Sequence, residues 1–485
     1  MPTLNSILNT GVTSLRANQG ALATVSHNIS NTNTPGYTRE VTNFATEYYL
    51  PEWPNFYGMG VKITTVQSMR DNLLDANYRS ESGQQSKYDV TSTNASSLES
   101  VLGDINGTSI GTGLTDFFNA YQDLSNNPAD SGTRQTVLDK ATQLVGYFNT
   151  AAQRMSTIAD TATQTNGTLD ETVIDSTTQL NTMLQQVAAL NKQIVAAETP
   201  SVISQAQAND LRDQRGLLLD QLSSYMDLTV TPTVVGGAPS DKMIDITVNG
   251  QKLVVGQNAN PVAAAKVVFA SGNTHLQIQA GGVSLATAGG KIAGYQQAYT
   301  DWDTTNGSLN DLAKALVNTV NTQHTAGFDQ NGVAGVNFFD PAGTTAATIA
   351  LNPVVSGDPS KIAAASTNTG PGDGNNAVAI AQLQDALVYP TVGANPNTMT
   401  LNGGFTDLVT TVGSNAQTQQ QFETEHQTAL DTATSARQAV EGVNTDEELT
   451  NLVDYQQAYQ AAARIVTAVD DDMSLIISHM GRVGL

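Results

Sequence analysis

The two ends of this chain carry one rhythm, and that rhythm constrains the fold more than anything between them. Leu4, Leu8, Gly11, Leu15, Asn18, Leu22, Val25 and Ile29 alternate in steps of three and four, and six of the eight are large and apolar. Leu449, Leu452, Gln456, Tyr459, Ala463, Val466, Asp470, Met473, Ile477 and Met480 repeat the pattern at the far end. Such spacing is the seam of a helix that packs on another helix. Each helix would run roughly 50 Å at about 1.5 Å per residue, so the two match in length. Neither carries caps that would isolate it. The spacing predicts that the termini pair as a coiled coil and that the rest of the chain hangs from them. Pro35 is expected to stop the first helix, Gly36 to turn the chain and Tyr37 to begin an extended segment. Arg16 is the only charge between Met1 and Asn33. A helix faced with Thr, Asn, Ser and Gln expects neighbours rather than water.

Composition excludes several function classes. A net charge of −23 argues against nucleic acid, where a basic footprint supplies most of the affinity, and against an anionic membrane surface. The absence of cysteine rules out disulfides and thiolate metal sites. No apolar run approaches the roughly 18 residues of a membrane helix. The N-terminus lacks the basic and apolar regions of a general secretory signal, so the chain is expected to stay in the cytoplasm or to leave by another route. With 485 residues, two to four domains are expected. Only 13% of residues are charged, a balance closer to surface and filament proteins than to a free cytosolic enzyme.

The expected fold is mainly α: an elongated, nested multidomain chain with paired terminal coiled-coil helices, a long helical bundle and a small inserted β domain. Residues 1–40 and 441–485 form the terminal unit. Residues 41–230 and 290–440 form a helical domain with a β-hairpin near 41–69, whose strands flank the aromatic stretch Tyr48 to Tyr57. That stretch reads equally as a partner-binding patch or as a plug under the hairpin. A long polar helix with sparse apolar residues is expected over Arg70–Leu102, and amphipathic helices around Phe117–Leu124 and over Ala129–Met155, Asp170–Ala197 and Asn209–Leu228. Residues 231–289 switch to period two, and Asn249-Gly250 carries the signature of a type I′ hairpin. Helix returns at Lys291–Gly327, Ala377–Leu387 and Phe405–Val440.

Catalytic and cofactor chemistry finds no footing. Gly107-Thr108-Ser109-Ile110-Gly111 matches the G-x-S-x-G elbow, but the apolar strand that must precede it is missing. His27, His275, His324, His426 and His479 are scattered, with no metal-ligand spacing. Asp329-Gln330-Asn331-Gly332 hints at a calcium loop, but Asp340 stands where a bidentate Glu is needed, so a turn is expected. Catalytic, cofactor and metal residues are therefore not assigned.

Asn28-Ile29-Ser30-Asn31-Thr32-Asn33-Thr34-Pro35-Gly36-Tyr37, after a heptad helix, resembles the N-terminal signature of the axial proteins of the bacterial flagellum, with Asn28, Asn31, Asn33, Thr34, Pro35, Gly36 and Tyr37 as the motif. The helix from Leu449 to Met480 is similar to the C-terminal partner in that family. Asn209 to Arg215, Asn321 to Asp329 with Gly335 to Phe339, and Val443 to Glu448 narrow the resemblance to the hook-associated proteins that join hook to filament. The stretch from Pro341 to Leu351 is too short for the outer domain that larger members carry after the Phe-Phe pair.

The resemblance implies a structural, non-enzymatic protein, exported by the flagellar type III apparatus and located at the hook–filament junction. Its implied partners are its own subunits in a ring, the flagellar hook protein, hook-associated protein 3 and a cytoplasmic export chaperone, with no cofactor. The implied assembly seam is Leu4, Leu8, Leu15, Leu22, Val25 and Ile29 against Leu449, Leu452, Tyr459, Val466, Met473 and Ile477. Acids outnumber bases eight to two from Glu441 to Leu485, against one to two from Met1 to Glu40, so the pair is charge-complementary. Two alternatives remain: another axial protein of hook or rod type, and a secreted hydrolase built on Ser109.

Overall fold

The computed structural model describes residues 4–47, 49–52, 55–103, 109–159, 167–198, 207–235, 238–368, 370–389 and 398–480. The chain begins with α1 (Leu4–Ser30) and a hairpin whose long arms are β1 (Glu40–Thr46) and β4 (Val61–Ser68). Its tip is formed by β2 (Tyr49–Glu52) and β3 (Asn55–Gly58). Five helices follow: α2 (Asn72–Leu102), α3 (Ile110–Asn126), α4 (Ser131–Ile158), α5 (Thr168–Glu198) and α6 (Asn209–Ser223). The β domain holds β5 (Thr229–Val235), β6 (Ala238–Val248), β7 (Gln251–Val255), β8 (Asn258–Ala259), β9 (Val262–Val268), β10 (Thr274–Ala280) and β11 (Val283–Ser284). Helix resumes with α7 (Gly290–Thr325), the short α8 (Pro353–Gly357) and α9 (Asn375–Ala381), then α10 (Leu401–Glu441) and α11 (Thr445–Met480). The molecule is mainly α, with paired terminal helices and an inserted β domain.

Side-chain caps fix several helix starts. Asp71 accepts from the amides of Leu73 and Leu74 at α2, and Asp130 from Thr133 at α4. Asn444 accepts from Asp446 and Glu447 at the start of α11, so this helix does carry an N-cap, contrary to the expectation from sequence. At the other terminus α1 ends at Ser30, short of Pro35. Asn31 and Thr32 fold their side chains back onto the carbonyls of His27 and Asn28, and this local bonding competes with the helix.

The β domain leaves and re-enters the helical body at one point. The Lys291 and Ile292 amides at the start of α7 donate to the Ser224 and Tyr225 carbonyls at the end of α6, at 2.9 and 3.0 Å. Each helix end satisfies the other's unpaired groups. Gly290 sits there at φ +80°, and a Cβ would collide with the Tyr225 carbonyl. This closure ends α6 at Ser223, five residues before the sequence suggested. Strands β5-β6-β7-β8 form one antiparallel sheet and β11-β10-β9 a second. Asn249 and Gly250 both take positive φ in the turn joining β6 to β7, where Val248 pairs with Gln251, as the type I′ signature requires. Asn181 and Asn191 of α5 donate to carbonyls of Val262 and Ile244, which moors both sheets to the helices.

α2, α7 and α10 run beside each other, and α3 and α4 pack at their far end. There Phe117, Phe118, Tyr121, Phe338 and Phe339 are fully buried together, with neighbouring ring centroids 5.1–5.9 Å apart. His324 is buried against them. Its Nδ1 faces the Val336 carbonyl and its Nε2 accepts the Ala363 amide at 2.9 Å. Burial pushes its pKa down to about 4.

One unit is composed differently from the sequence expectation. The β1/β4 hairpin packs along α1 and meets the helical body at Asn209 of α6, whose Nδ2 donates to Glu40 Oε1 and the Val66 carbonyl. Small residues allow this approach: a Cβ on Gly20 would overlap Ile63, and one on Gly60 would overlap Thr13. Thr42 and Thr24 meet across the contact at 3.1 Å, and Phe44 sits 6.2 Å from Tyr455 of α11. The side chains of 48–57, which include the aromatic stretch, lie outside the described residues.

Candidate functional site

The site is the paired termini and the joint that holds them to the body. Two contacts set the direction of the pair. Asn28 of α1 meets Glu448 of α11 at 3.1 Å, and Gly11 lies under Val466, where a Cβ would come within 2.9 Å. Moving back along α1 moves forward along α11, so the helices are antiparallel.

The buried face of α1 is mostly small: Ser6, Gly11, Ala17, Ala21, Thr24, Val25 and Asn28. Val25 is on it, while Leu4, Leu8, Leu15, Leu22 and Ile29 are half-buried at its edges. On α11 the covered or half-covered positions are Glu448, Asn451, Leu452, Tyr455, Ala462, Ala463, Val466, Val469 and Met473. Of the expected seam residues, Leu449 is off this face at 50% exposed, Tyr459 is in phase with it but 37% exposed, and Ile477, 69% exposed, lies beyond the point that the described part of α1 reaches. The expected phase is one residue off at every second position, 449 for 448 and 456 for 455. Apolar residues occupy two adjacent faces of α11, and spacing alone does not say which one meets α1. On α1 the hairpin and α11 approach from two sides, and small residues let both come close.

The motif turn is built on Asn28, which is 1% exposed. Its Nδ2 donates to the Glu40 carbonyl at 2.9 Å and to Glu448 Oε2; its Oδ1 accepts from the Glu40 amide at 2.9 Å and the Tyr37 hydroxyl at 2.7 Å. One amide thus ties the end of α1, the start of β1 and the start of α11. Thr34 donates to Asn31 Oδ1, and Gly36 takes φ +78° against Leu217 of α6. Burial, then Glu40, holds the Tyr37 phenol well above its ordinary pKa. Asn33, Thr34 and Pro35 are exposed and line a groove of about 800 Å³ between this turn and the corner joining α10 to α11.

Charge on this sparsely charged chain gathers at the joint. Arg39 reaches Glu448 at 2.8 Å and Glu447 at 2.9 Å, at the positive end of the α11 dipole. Arg70 pairs with Asp75 (2.7 Å) and Asp213 (3.4 Å), and Arg79 with Asp220 (2.7 Å) and Asp75 (3.3 Å). Arg437 pairs with Asp220 (2.7 Å) and Glu441 (3.7 Å) and lies over the Tyr78 ring. Asp213 also accepts the Thr38 amide at 2.8 Å. Burial pushes its pKa up to about 6, against the pull of that amide and of Arg70. Burial likewise raises Glu441, which accepts the Asp71 amide. The network joins α2, α6 and α10 behind the turn, where the chain passes from body to termini.

The remaining sequence candidates have structural positions. Ser109 caps α3, its Oγ accepting the Thr112 amide at 3.1 Å; residues 104–108 of the elbow match lie outside the described residues. Asp329 closes a turn by accepting the Asn331 and Val333 amides, and it pairs with Lys361. The 341–351 segment is a compact turn bridged by Phe339 and Leu351. Spacing in sequence gave no sign that Asp75, Asp220 and Arg437 would meet, because they come from separate segments.

Comparisons with known proteins agree with this architecture. The family described as "Flagellar hook-associated protein FlgK helical domain" matches residues 95–339. "Flagella basal body rod protein" matches 8–38, and "Flagellar basal body rod FlgEFG protein C-terminal" matches 437–478. The chain is 28% identical to flagellar hook-associated protein 1 of Bacillus subtilis over 98% of both chains. It is 27% identical to that of Salmonella typhimurium over 96% of this chain and 98% of the other. The structure of the flagellar hook junction protein FlgK from Burkholderia pseudomallei superposes with a TM-score of 0.63 at 17% identity, over 76% of this chain and 100% of that one.

Proposed function

The chain belongs to the flagellar hook-associated protein 1 (FlgK) family, and from that premise we propose that its subunits form the ring joining hook to filament in the bacterial flagellum. It is a structural protein that assembles with its own copies and with other flagellar components. The observation that carries the reading is the exposed apolar surface of α11. Leu449, Val453 and Ile465 are exposed away from the face that α1 covers, and Leu475, Ile476 and Ile477 are exposed beyond the point that the described part of α1 reaches. Apolar surface of that extent marks an interface. The terminal pair is then the assembly element: α1 covers one side of α11, and neighbouring subunits cover the other. Leu449, Tyr459 and Ile477 act in contacts between subunits, while Val25, Leu452, Val466 and Met473 act within one. The exposed Asn33, Thr34 and Pro35 line a groove open to a neighbour.

In finer detail, the ring sits on the flagellar hook protein and receives hook-associated protein 3 before the filament. A cytoplasmic chaperone covers the apolar face of α11 until type III export. Three units serve this role: residues 1–40 with 441–485, joined by the 41–69 hairpin; the helical body; and the β domain of 231–289 held at its edge.

Purified chain added to isolated flagellar hooks tests the reading, with sedimentation and imaging of the hook tip. Saturable capping of the distal end is expected, abolished by removing residues 449–485. Equal capping by the truncated chain would overturn it.

A further inference from the structure

Away from the seam, three segments bring metal-ligating groups to one point. His27 is in the last turn of α1, Glu40 opens β1 and Asp210 is in the first turn of α6. The carboxylates flank different nitrogens of the His27 ring: Glu40 Oε2 lies 3.3 Å from Nδ1, which the Tyr37 hydroxyl also faces at 3.2 Å, and Asp210 Oδ1 lies 3.7 Å from Nε2, the nitrogen left to face an ion. One ligand atom from each residue falls within 4.8 Å of the other two. A tetrahedral zinc-type ion with bonds of about 2.0–2.2 Å holds its ligands roughly 3.5 Å apart. The separations need to close by about an ångström, and the Asp210 side chain, 63% exposed, can swing to close them.

Two further features point to a cation. Asn209 is 6% exposed, and its Nδ2 donates to Glu40 Oε1 at 2.7 Å, but its Oδ1 is buried without a hydrogen-bond partner. The Asn209 amide, held also by the Val66 carbonyl, orients Glu40 as an outer partner of a metal ligand does. Among the described residues, neither Glu40 nor Asp210 pairs with a lysine or arginine. The site is therefore rich in negative charge. Thr24, His27, Glu40, Asn209 and Asp210 line a cleft open to solvent, which gives an ion an entry path.

We propose that His27, Glu40 and Asp210 bind a divalent d-block cation of the zinc class, with water in the fourth position. One imidazole with carboxylates is a ligand set for such ions. The ion would staple the end of α1 and the start of β1 to α6, fastening the termini to the helical body.

The test uses the full chain after chelation, titrated with Zn²⁺ by calorimetry, and with Cu²⁺ for nitrogen couplings in the electron paramagnetic spectrum. One Zn²⁺ per chain at micromolar affinity is expected, with one imidazole nitrogen coupled to Cu²⁺. His27→Gln should remove the nitrogen coupling and weaken Zn²⁺ at least tenfold. Asp210→Asn, at an exposed side chain, should weaken it similarly, and His479→Gln should leave it unchanged. Binding that ignores both H27Q and D210N would show adventitious uptake by an acidic surface and overturn the proposal, as would no binding at micromolar Zn²⁺.

Discussion

Asn28 uses all its hydrogen-bonding capacity in a space closed to water. Asn28→Ala leaves Glu448 and the Glu40 amide without that partner, and each such loss costs about 1–3 kcal/mol. About 3 kcal/mol of stability should be lost at the joint. Amide exchange should quicken in α1, β1 and α11 while α3 and α4 stay protected; uniform loss across the chain would contradict the assignment. His324 gives a dependence on pH. It is held neutral with a pKa near 4, below the unfolded value of about 6.5. Between those values the unfolded chain binds the extra proton, so stability present above pH 6.5 is lost as pH falls toward 4, by about 3 kcal/mol. Asp213 acts oppositely: its folded pKa of about 6 exceeds the ordinary carboxylate value, so it gains stability over pH 6 to 4. Denaturation midpoints from pH 4 to 7 should therefore fall more steeply with acid in Asp213→Asn than in the parent chain.

α1 and α11 were legible as helices because their apolar residues recur at three and four. Which face meets which partner was not. Periodicity sees residues along one helix, while phase depends on what approaches it, here the hairpin and α11 together. The covered face of α1 is small because two elements come close, and smallness is a weak signal in a sequence. Leu15 and Leu22 flank that face, half-buried. Leu15→Asp and Leu22→Asp place a charge beside the seam, at a cost of several kcal/mol if it is buried on assembly. The urea midpoint of the helical body should be unchanged and hook-tip capping lost. Capping at parental levels would count against the terminal pair as the assembly element.

Across the molecule, the ionic joint decides whether termini and body move as one. Arg437 links Asp220 and Glu441, and Arg437→Gln breaks a largely buried network, a change that typically costs about 3–5 kcal/mol. Limited proteolysis should then cut at residues 442–444 while the body resists; an unchanged cleavage pattern would mean that the seam alone holds the ends. By itself the sequence determined the mainly helical class, the terminal pairing, the inserted β domain with its Asn249-Gly250 turn, and the axial-protein motif, because periodicity and turn chemistry are local and survive in one dimension. Only the tertiary structure decided the phase of the α11 face, the seat of the hairpin on α1, and the convergence of Arg70, Arg79 and Arg437 on Asp75, Asp213 and Asp220. It alone brought His27, Glu40 and Asp210 together. Such contacts join residues up to several hundred positions apart, and they are set by the close approach of backbones and the burial of charge, which no local pattern records.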